Sequence, residues 1–291
     1  MKAEPLPRRD LLRTLAATPV AASLGARLAA AEATPARPKG RIRHSVCRSC
    51  FPGKSLDQLC LLAKEAGATS IDLMPPENWP TLAKHGLTCA MTKVHEPNYP
   101  ETWVRPEEHD KLVGYFTDTI PKVANAGFPN LICLSGNARG LSKEQGLENC
   151  ALGLKRIMAL AERHRVNVCL ELLNSKVNHK DYMADSTAWG VELVNRVGSE
   201  RFKLLFDIYH MQIMEGDVIA TIKRHHRHFA HYHVAGVPGR HEPDETQELN
   251  YAGIMGAIAD TGYQGYVAFE YSPARPDHLG SLRRAMQICD A

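Results

Sequence analysis

Four short apolar segments in the second half of this 291-residue chain each end on or near a metal-type ligand: Val168-Cys-Leu-Glu171, Leu204-Leu-Phe-Asp207, Ala230-His-Tyr-His233 and Val267-Ala-Phe-Glu270. A carboxylate inside such a run is desolvated, which is costly unless it meets a cation or another partner. One of them could be a buried ion pair; four at equivalent places point to a cation site. Three carboxylates and one imidazole favour Mg2+, Mn2+ or Co2+ and leave Zn2+ open. One divalent metal ion is therefore the expected cofactor, with Glu171, Asp207, His233 and Glu270 as its ligands.

Further polar groups cluster around these segments. Asp207-Ile-Tyr-His210 adds an imidazole, expected in a loop over the site. His231 and His233 share one face of a strand, because side chains alternate. His233, nearer the strand end, is assigned to the metal and His231 to the layer beneath. A Gly/Pro turn then carries Gly236-Val-Pro-Gly-Arg240-His-Glu242-Pro-Asp244. Arg240 could clamp a carboxylate or an oxyanion with its planar fork, and Glu242 and His95 complete the candidate substrate contacts. His95 and Lys93 stand at or just past the end of the third candidate strand.

The elements that must position these residues alternate regularly from residue 41. Candidate strands are Ile42–Cys47, Ser70–Leu73, Thr88–Val94, Leu131–Ser135, Asn167–Leu172, Lys203–Asp207, His228–Val234 and Tyr266–Glu270, separated by amphipathic stretches with helical periodicity. Eight such pairs in about 250 residues match an α/β fold built as a single (β/α)8 TIM barrel, whose active site forms at the C-terminal ends of the strands. All four ligands would then reach the same mouth. A doubly wound open sheet is disfavoured, because no Gly-rich phosphate loop follows the first strand.

Composition is that of an ordinary globular protein, 44% hydrophobic and 23% charged, with a formal net charge of +3. Residues 1–32 contribute +2 of that charge, so the remainder offers no basic stripe and no nucleic-acid partner is expected. Pro7-Arg8-Arg9-Asp10-Leu11-Leu12-Arg13, the apolar run Leu15–Leu24 and Ala29-Ala-Ala-Glu-Ala33 resemble a twin-arginine (Tat) export signal. Residues 1–40 are thus expected to be signal and linker, 41–291 the barrel, and the location periplasmic. The apolar run is too short and alanine-rich for a membrane span, which needs ~20 apolar residues. Of the eight cysteines, most lie in apolar elements. Cys47-Arg-Ser-Cys50 has redox or zinc spacing but no second pair beside it, and a disulfide is left open.

With these motifs the chain resembles the xylose isomerase-like (sugar-phosphate isomerase/epimerase) barrel superfamily, and within it most of all the hydroxypyruvate isomerases. The matches are His231-x-His233-Val-Ala-Gly-Val-Pro-Gly-Arg240-His-Glu-Pro-Asp followed by Leu249-Asn-Tyr251, Phe206-Asp207-x-Tyr-His210 and Phe269-Glu270-Tyr. The resemblance covers residues 41–291. It implies one divalent cation held at the ends of strands five to eight by Glu171, Asp207, His233 and Glu270, with His210 and Arg240 contacting substrate. It also implies proton transfer by Glu171 and Glu270 through a cis-enediolate of a small hydroxy-carbonyl or sugar substrate. Two departures stand out. Hydroxypyruvate isomerases usually carry Gln where this chain has His233, whereas ketose 3-epimerases carry His there. The loop Glu171-Leu-Leu-Asn174-Ser-Lys-Val-Asn-His179-Lys-Asp-Tyr182 also differs. A ketose or 3-keto-sugar epimerase using the same site is accordingly the alternative, and a non-catalytic periplasmic sugar-binding barrel a remote one. An endonuclease IV-type barrel would need more metal ligands and a basic surface. A homo-oligomer is left open.

Overall fold

The computed structural model describes residues 40–94 and 103–291. The twin-arginine segment and His95 lie outside the described residues. Seven parallel strands, β1 (Arg43–Val46), β2 (Ser70–Ile71), β3 (Asn130–Cys133), β4 (Asn167–Glu171), β5 (Phe202–Asp207), β6 (Phe229–Val234) and β7 (Tyr266–Phe269), form one sheet in the order β2-β1-β7-β6-β5-β4-β3. Its two edges meet through the stretch Thr88–Thr92. Single parallel bridges join Ser70 to Thr88, Met74 to Thr92 and Thr92 to Leu131. The sheet therefore closes into a barrel, and the expected eighth strand is present as bridges rather than a continuous ladder. Side chains supply part of its bonding: Ala90 N–H donates to Ser70 Oγ at 2.9 Å and Thr92 Oγ1 donates to the Asn130 carbonyl at 2.7 Å.

The helices α1 (Leu56–Ala66), α2 (Trp79–Lys84), α3 (His109–Asn125), α4 (Lys143–His164), α5 (Thr187–Val197), α6 (Ile208–Met214), α7 (Val218–His225), α8 (Tyr251–Asp260) and α9 (His278–Ile288) run between or after the strands. Local chemistry sets their ends. Ser55 with Gln58, and Ser142 with Gln145, form reciprocal capping boxes at the starts of α1 and α4, satisfying backbone N–H groups that have no partner within the helix. The stretch after β5, expected as a loop, is instead α6. Asp207, the last residue of the strand, accepts the His210 N–H and so starts the helix immediately.

Period-two alternation along the strands builds the site in layers. The residues two positions before the ligands, Cys169, Leu205, His231 and Ala268, face the same interior. Cys169 and Leu205 pack there with Met91 and Ile132, forming an apolar floor. The opposite face of β5 and β6 packs under the helices, where Tyr232 meets Phe206, Phe229 and Tyr263 with ring centroids 6.2, 5.9 and 5.0 Å away. Each such buried aromatic contributes roughly 1.5–3 kcal/mol from area burial alone, so the strands that carry the ligands are anchored from outside.

Candidate metal centre

The ligand atoms of Glu171, Asp207, His233 and Glu270 lie within 4.8 Å of one another. Strand register brings them there. Asp207 is the pairing partner of His233, whereas Glu171 pairs with Leu205, two residues before Asp207, and Val234 pairs with Phe269, one residue before Glu270, so the four groups stand near their strand ends with the stagger of tilted barrel strands. The Glu270 N–H donates to the Val234 carbonyl at 3.0 Å, extending β7 by one residue. His233 Nδ1 lies 3.4 Å from Glu171 Oε1 and 3.2 Å from Glu270 Oε2. Glu171, Asp207 and His233 are buried.

Three converging carboxylates strain the electrostatics of the site. Burial pushes the Glu171 carboxyl up, more than the neighbouring His233 imidazole lowers it. Burial likewise raises Asp207 against the pull of Arg240. Burial would raise Glu270 too, but His233 and Arg240 overcome it and hold that carboxyl at about 2. His233 is driven well above the ordinary imidazole range, since Asp72, Glu171 and Glu270 outweigh its burial. Glu171 Oε1 and His233 Nε2 are also buried without a hydrogen-bond partner. A divalent cation among these atoms would neutralise the carboxylates and satisfy the orphaned oxygen, and three oxygens with one nitrogen suit a hard or borderline ion. The residues fit such a group.

A fifth residue supports them. Asp72, fully buried just past β2, has its Oδ2 at 2.5 Å from His231 Nε2 and 3.4 Å from His233 Nε2, while its Oδ1 accepts from Ser45 Oγ at 2.5 Å. His233 thus turns Nδ1 to the carboxylates and Nε2 to Asp72, the arrangement that orients imidazole ligands in metal sites. Sequence reasoning missed Asp72, although Ser70-Ile-Asp72 shows the same signal: a charged residue near the end of a short apolar run.

His210 sits in the first turn of α6, fully buried, not in a loop. Its N–H donates to Asp207 Oδ1 at 3.2 Å, and its Nδ1 accepts the Asn174 N–H at 3.2 Å. Nε2 therefore carries the proton. It points toward Asp207 Oδ2 at 3.6 Å and has no hydrogen-bond partner. Burial, then Arg240, lower its pKa to about 3, so the imidazole is neutral and offers one N–H to the site. Arg240 places a terminal nitrogen 2.7 Å from Glu270 Oε2 and its guanidinium 5.4 Å from the Tyr209 ring centroid. A tight turn aims it: Gly236 N–H donates to the His241 carbonyl at 2.7 Å and Arg240 N–H to the Gly236 carbonyl at 2.9 Å. A Cβ on Gly236 would come within 2.9 Å of that His241 carbonyl oxygen.

Glu242 is not brought into this group. Its carboxylate accepts the N–H groups of Ala274 at 2.8 Å and Arg275 at 3.2 Å, bracing the loop before α9. The Cys47 and Cys50 thiols are free and buried. Cys50 Sγ donates to the Phe269 carbonyl at 3.2 Å. Cys47 lies against the ligands, its Sγ within 4.8 Å of ligand atoms of His233 and Glu270.

A family model described as xylose isomerase-like TIM barrel matches residues 60–289. The chain is 32% identical to a putative hydroxypyruvate isomerase of Danio rerio over 145 residues, 46% of this chain and 52% of that protein. It is 30% identical to a 2-oxo-tetronate isomerase of Haemophilus influenzae over 224 residues, 72% of this chain and 85% of that one. The stretches matched in the vertebrate relatives span about half of their length or less. A crystal structure of AP endonuclease, family 2, from Brucella melitensis superposes with a TM-score of 0.72 at 27% identity, covering 82% of this chain and 96% of the other. With its closed parallel sheet and its match over residues 60–289, the chain belongs to the xylose isomerase-like TIM barrel family.

Proposed function

We propose that the protein is a divalent-metal-dependent isomerase of a short 3-hydroxy-2-oxo acid, with hydroxypyruvate and tartronate semialdehyde as the pair it interconverts. The placement of two carboxylates, Glu171 and Glu270, against the same imidazole nitrogen at 3.4 and 3.2 Å carries this assignment. The relatives' names support it, since both describe isomerisation of a 2-oxo acid. A bound divalent cation would polarise the substrate carbonyl and acidify the adjacent C–H. One of the two carboxylates, Glu171 and Glu270, would take the proton from carbon 3, leaving an enediolate, and the other would return a proton to carbon 2 as the hydroxyl proton passes from one oxygen to the other. His210 Nε2–H and Arg240 would stabilise the anionic oxygens as charge develops. The twin-arginine segment adds export to the periplasm to this reading.

The test is the metal-loaded protein in D2O with hydroxypyruvate, followed by NMR. Deuterium at carbon 3 with tartronate semialdehyde appearing is expected. His233 favours a second reading, epimerisation of a keto sugar by reprotonation of one carbon from the opposite face; exchange confined to a keto sugar's α-carbon would select it. Absence of metal-dependent exchange with either class would reject both.

A further inference from the structure

On the side of α6 and the turn that carries Arg240, three polar side chains lie near the candidate ligands without belonging to them: His210, Arg240 and His179. The last belongs to the connection between β4 and α5, one of the two places where the chain departs from the isomerases it resembles. Asn174 folds this connection into a fixed turn. Its Oδ1 accepts the N–H groups of Val177 at 3.0 Å and Asn178 at 2.9 Å, and its carbonyl accepts the His179 N–H at 3.0 Å. The turn is tied to α6 in two places. Tyr209 OH donates to Asn178 Oδ1 at 2.8 Å, and Lys176 Nζ donates to the Ile213 and Met214 carbonyls at 3.1 and 2.9 Å. His179 is therefore held in place. Its ring meets the His210 ring edge-on, centroids 5.2 Å apart, and its Nε2 is buried with no hydrogen-bond partner.

An imidazole nitrogen shut away from water with nothing to bond costs free energy unless a ligand completes it. Its contact with His210 puts the ring beside the site, and the neighbouring Asn178 is bonded to Tyr209, whose ring lies 5.4 Å from the Arg240 guanidinium. The carboxylates of the mouth belong to the candidate cation site, whereas His210 Nε2–H and Arg240 present a donor and positive charge, and His179 Nε2 is an unbonded ring position that carries the proton in one neutral tautomer. A ligand completing them must bring acceptor oxygens and negative charge.

We propose that His179 is a specificity-determining residue that, with Arg240, receives the carboxylate of a 2-oxo acid and selects acids over neutral sugars. The identity of the acid rests on the isomerase reading; the anion subsite itself does not. The subsite is tested by calorimetric titration of the Mn2+-loaded protein with tartronate and with glycolate. Both can chelate the ion through a hydroxyl and a carboxylate, but only tartronate carries a second carboxylate. The wild-type protein should prefer tartronate. His179→Ala should weaken tartronate about tenfold or more, the loss of one hydrogen bond to a charged group, and leave glycolate within about twofold. His179→Gln, which restores a donor of similar reach, should recover part of the loss. Equal weakening of both ligands, no weakening of either, or no wild-type preference for tartronate would overturn the proposal. Loss of the isomerase reading is seen separately, as no deuterium exchange from hydroxypyruvate in a protein whose tartronate preference still depends on His179.

Discussion

His231 Nε2 lies 2.5 Å from Asp72 Oδ2, across 159 residues of sequence, and the same oxygen lies 3.4 Å from His233 Nε2. One carboxylate thus holds two histidines of β6, one in the floor of the site and one among the ligands. Asp72→Asn would leave the fold's shape intact but remove the charge that fixes both rings. Outer partners of this kind typically account for 10–100-fold in metal affinity, so Asp72→Asn should lose about that much Mn2+ affinity by calorimetry. Its unfolding free energy should drop by roughly 3–5 kcal/mol, as when a buried pair loses one member. Unchanged affinity would reduce Asp72 to a packing residue.

Glu171, Asp207 and Glu270 converge, with the Arg240 guanidinium paired to Glu270, so the protein without a cation carries an electrostatic burden that a cation relieves. Dialysis against a chelator should lower the melting temperature, and Mn2+ or Co2+ should restore it. Binding at 100 times the dissociation constant stabilises by about 2.7 kcal/mol. Glu270→Gln should blunt the metal-dependent rise in a thermal-shift titration; a rise of undiminished size would remove Glu270 from the ligand set.

Glu171 has one buried oxygen without a hydrogen-bond partner and lies 3.4 Å from His233 Nδ1. If it moves the substrate proton, Glu171→Gln should slow deuterium uptake from solvent by ~10²-fold or more, the usual range for general acid–base transfer. Metal content measured alongside separates lost proton transfer from lost metal. Wild-type exchange rates in a metal-replete Glu171→Gln protein would sink the role.

His44, a buried residue of β1 with Nε2 at 3.2 Å from the Cys289 carbonyl, has its pKa lowered by burial, with that carbonyl and Asp290 only partly opposing. The folded protein therefore binds this proton less readily than the unfolded chain, whose imidazole titrates near 6.5. Below that pH the unfolded state takes up more protons, so stability is full above it and declines as pH falls toward the lowered folded pKa. Between about pH 7.5 and about pH 5.5 the wild-type melting temperature should fall further than that of His44→Asn. Identical slopes would show that His44 contributes nothing to the acid sensitivity.

Gly236 leaves no room for a side chain, with the His241 carbonyl oxygen 2.9 Å from the position a Cβ would take. Gly236→Ala must shift the turn that aims Arg240. Overpacking of this kind costs typically 1–3 kcal/mol, and KM for hydroxypyruvate should rise more than kcat falls. A kinetic profile matching wild type would show that Arg240 keeps its place without the turn.

The sequence alone determined the barrel and singled out four strand-end residues, Glu171, Asp207, His233 and Glu270, that the fold gathers at one place. A parallel barrel sends every strand's C-terminal end to one mouth, so a local pattern of apolar run plus ligand already carries three-dimensional information. Residues whose partners lie far along the chain were decided only by the tertiary structure. Asp72 becomes a support for His231 and His233 because barrel closure carries its oxygens across the interior, and no local periodicity encodes that approach. Glu242 looked equal to Arg240 two residues earlier, yet the backbone of Ala274 and Arg275 claims its carboxylate. His210 moved from an expected loop into α6 because the Asp207 side chain caps the helix directly at the strand end. For Asp72 and Glu242 the deciding partner lies far along the chain, and for His210 it is a polar cap three residues earlier; hydrophobic periodicity encodes neither.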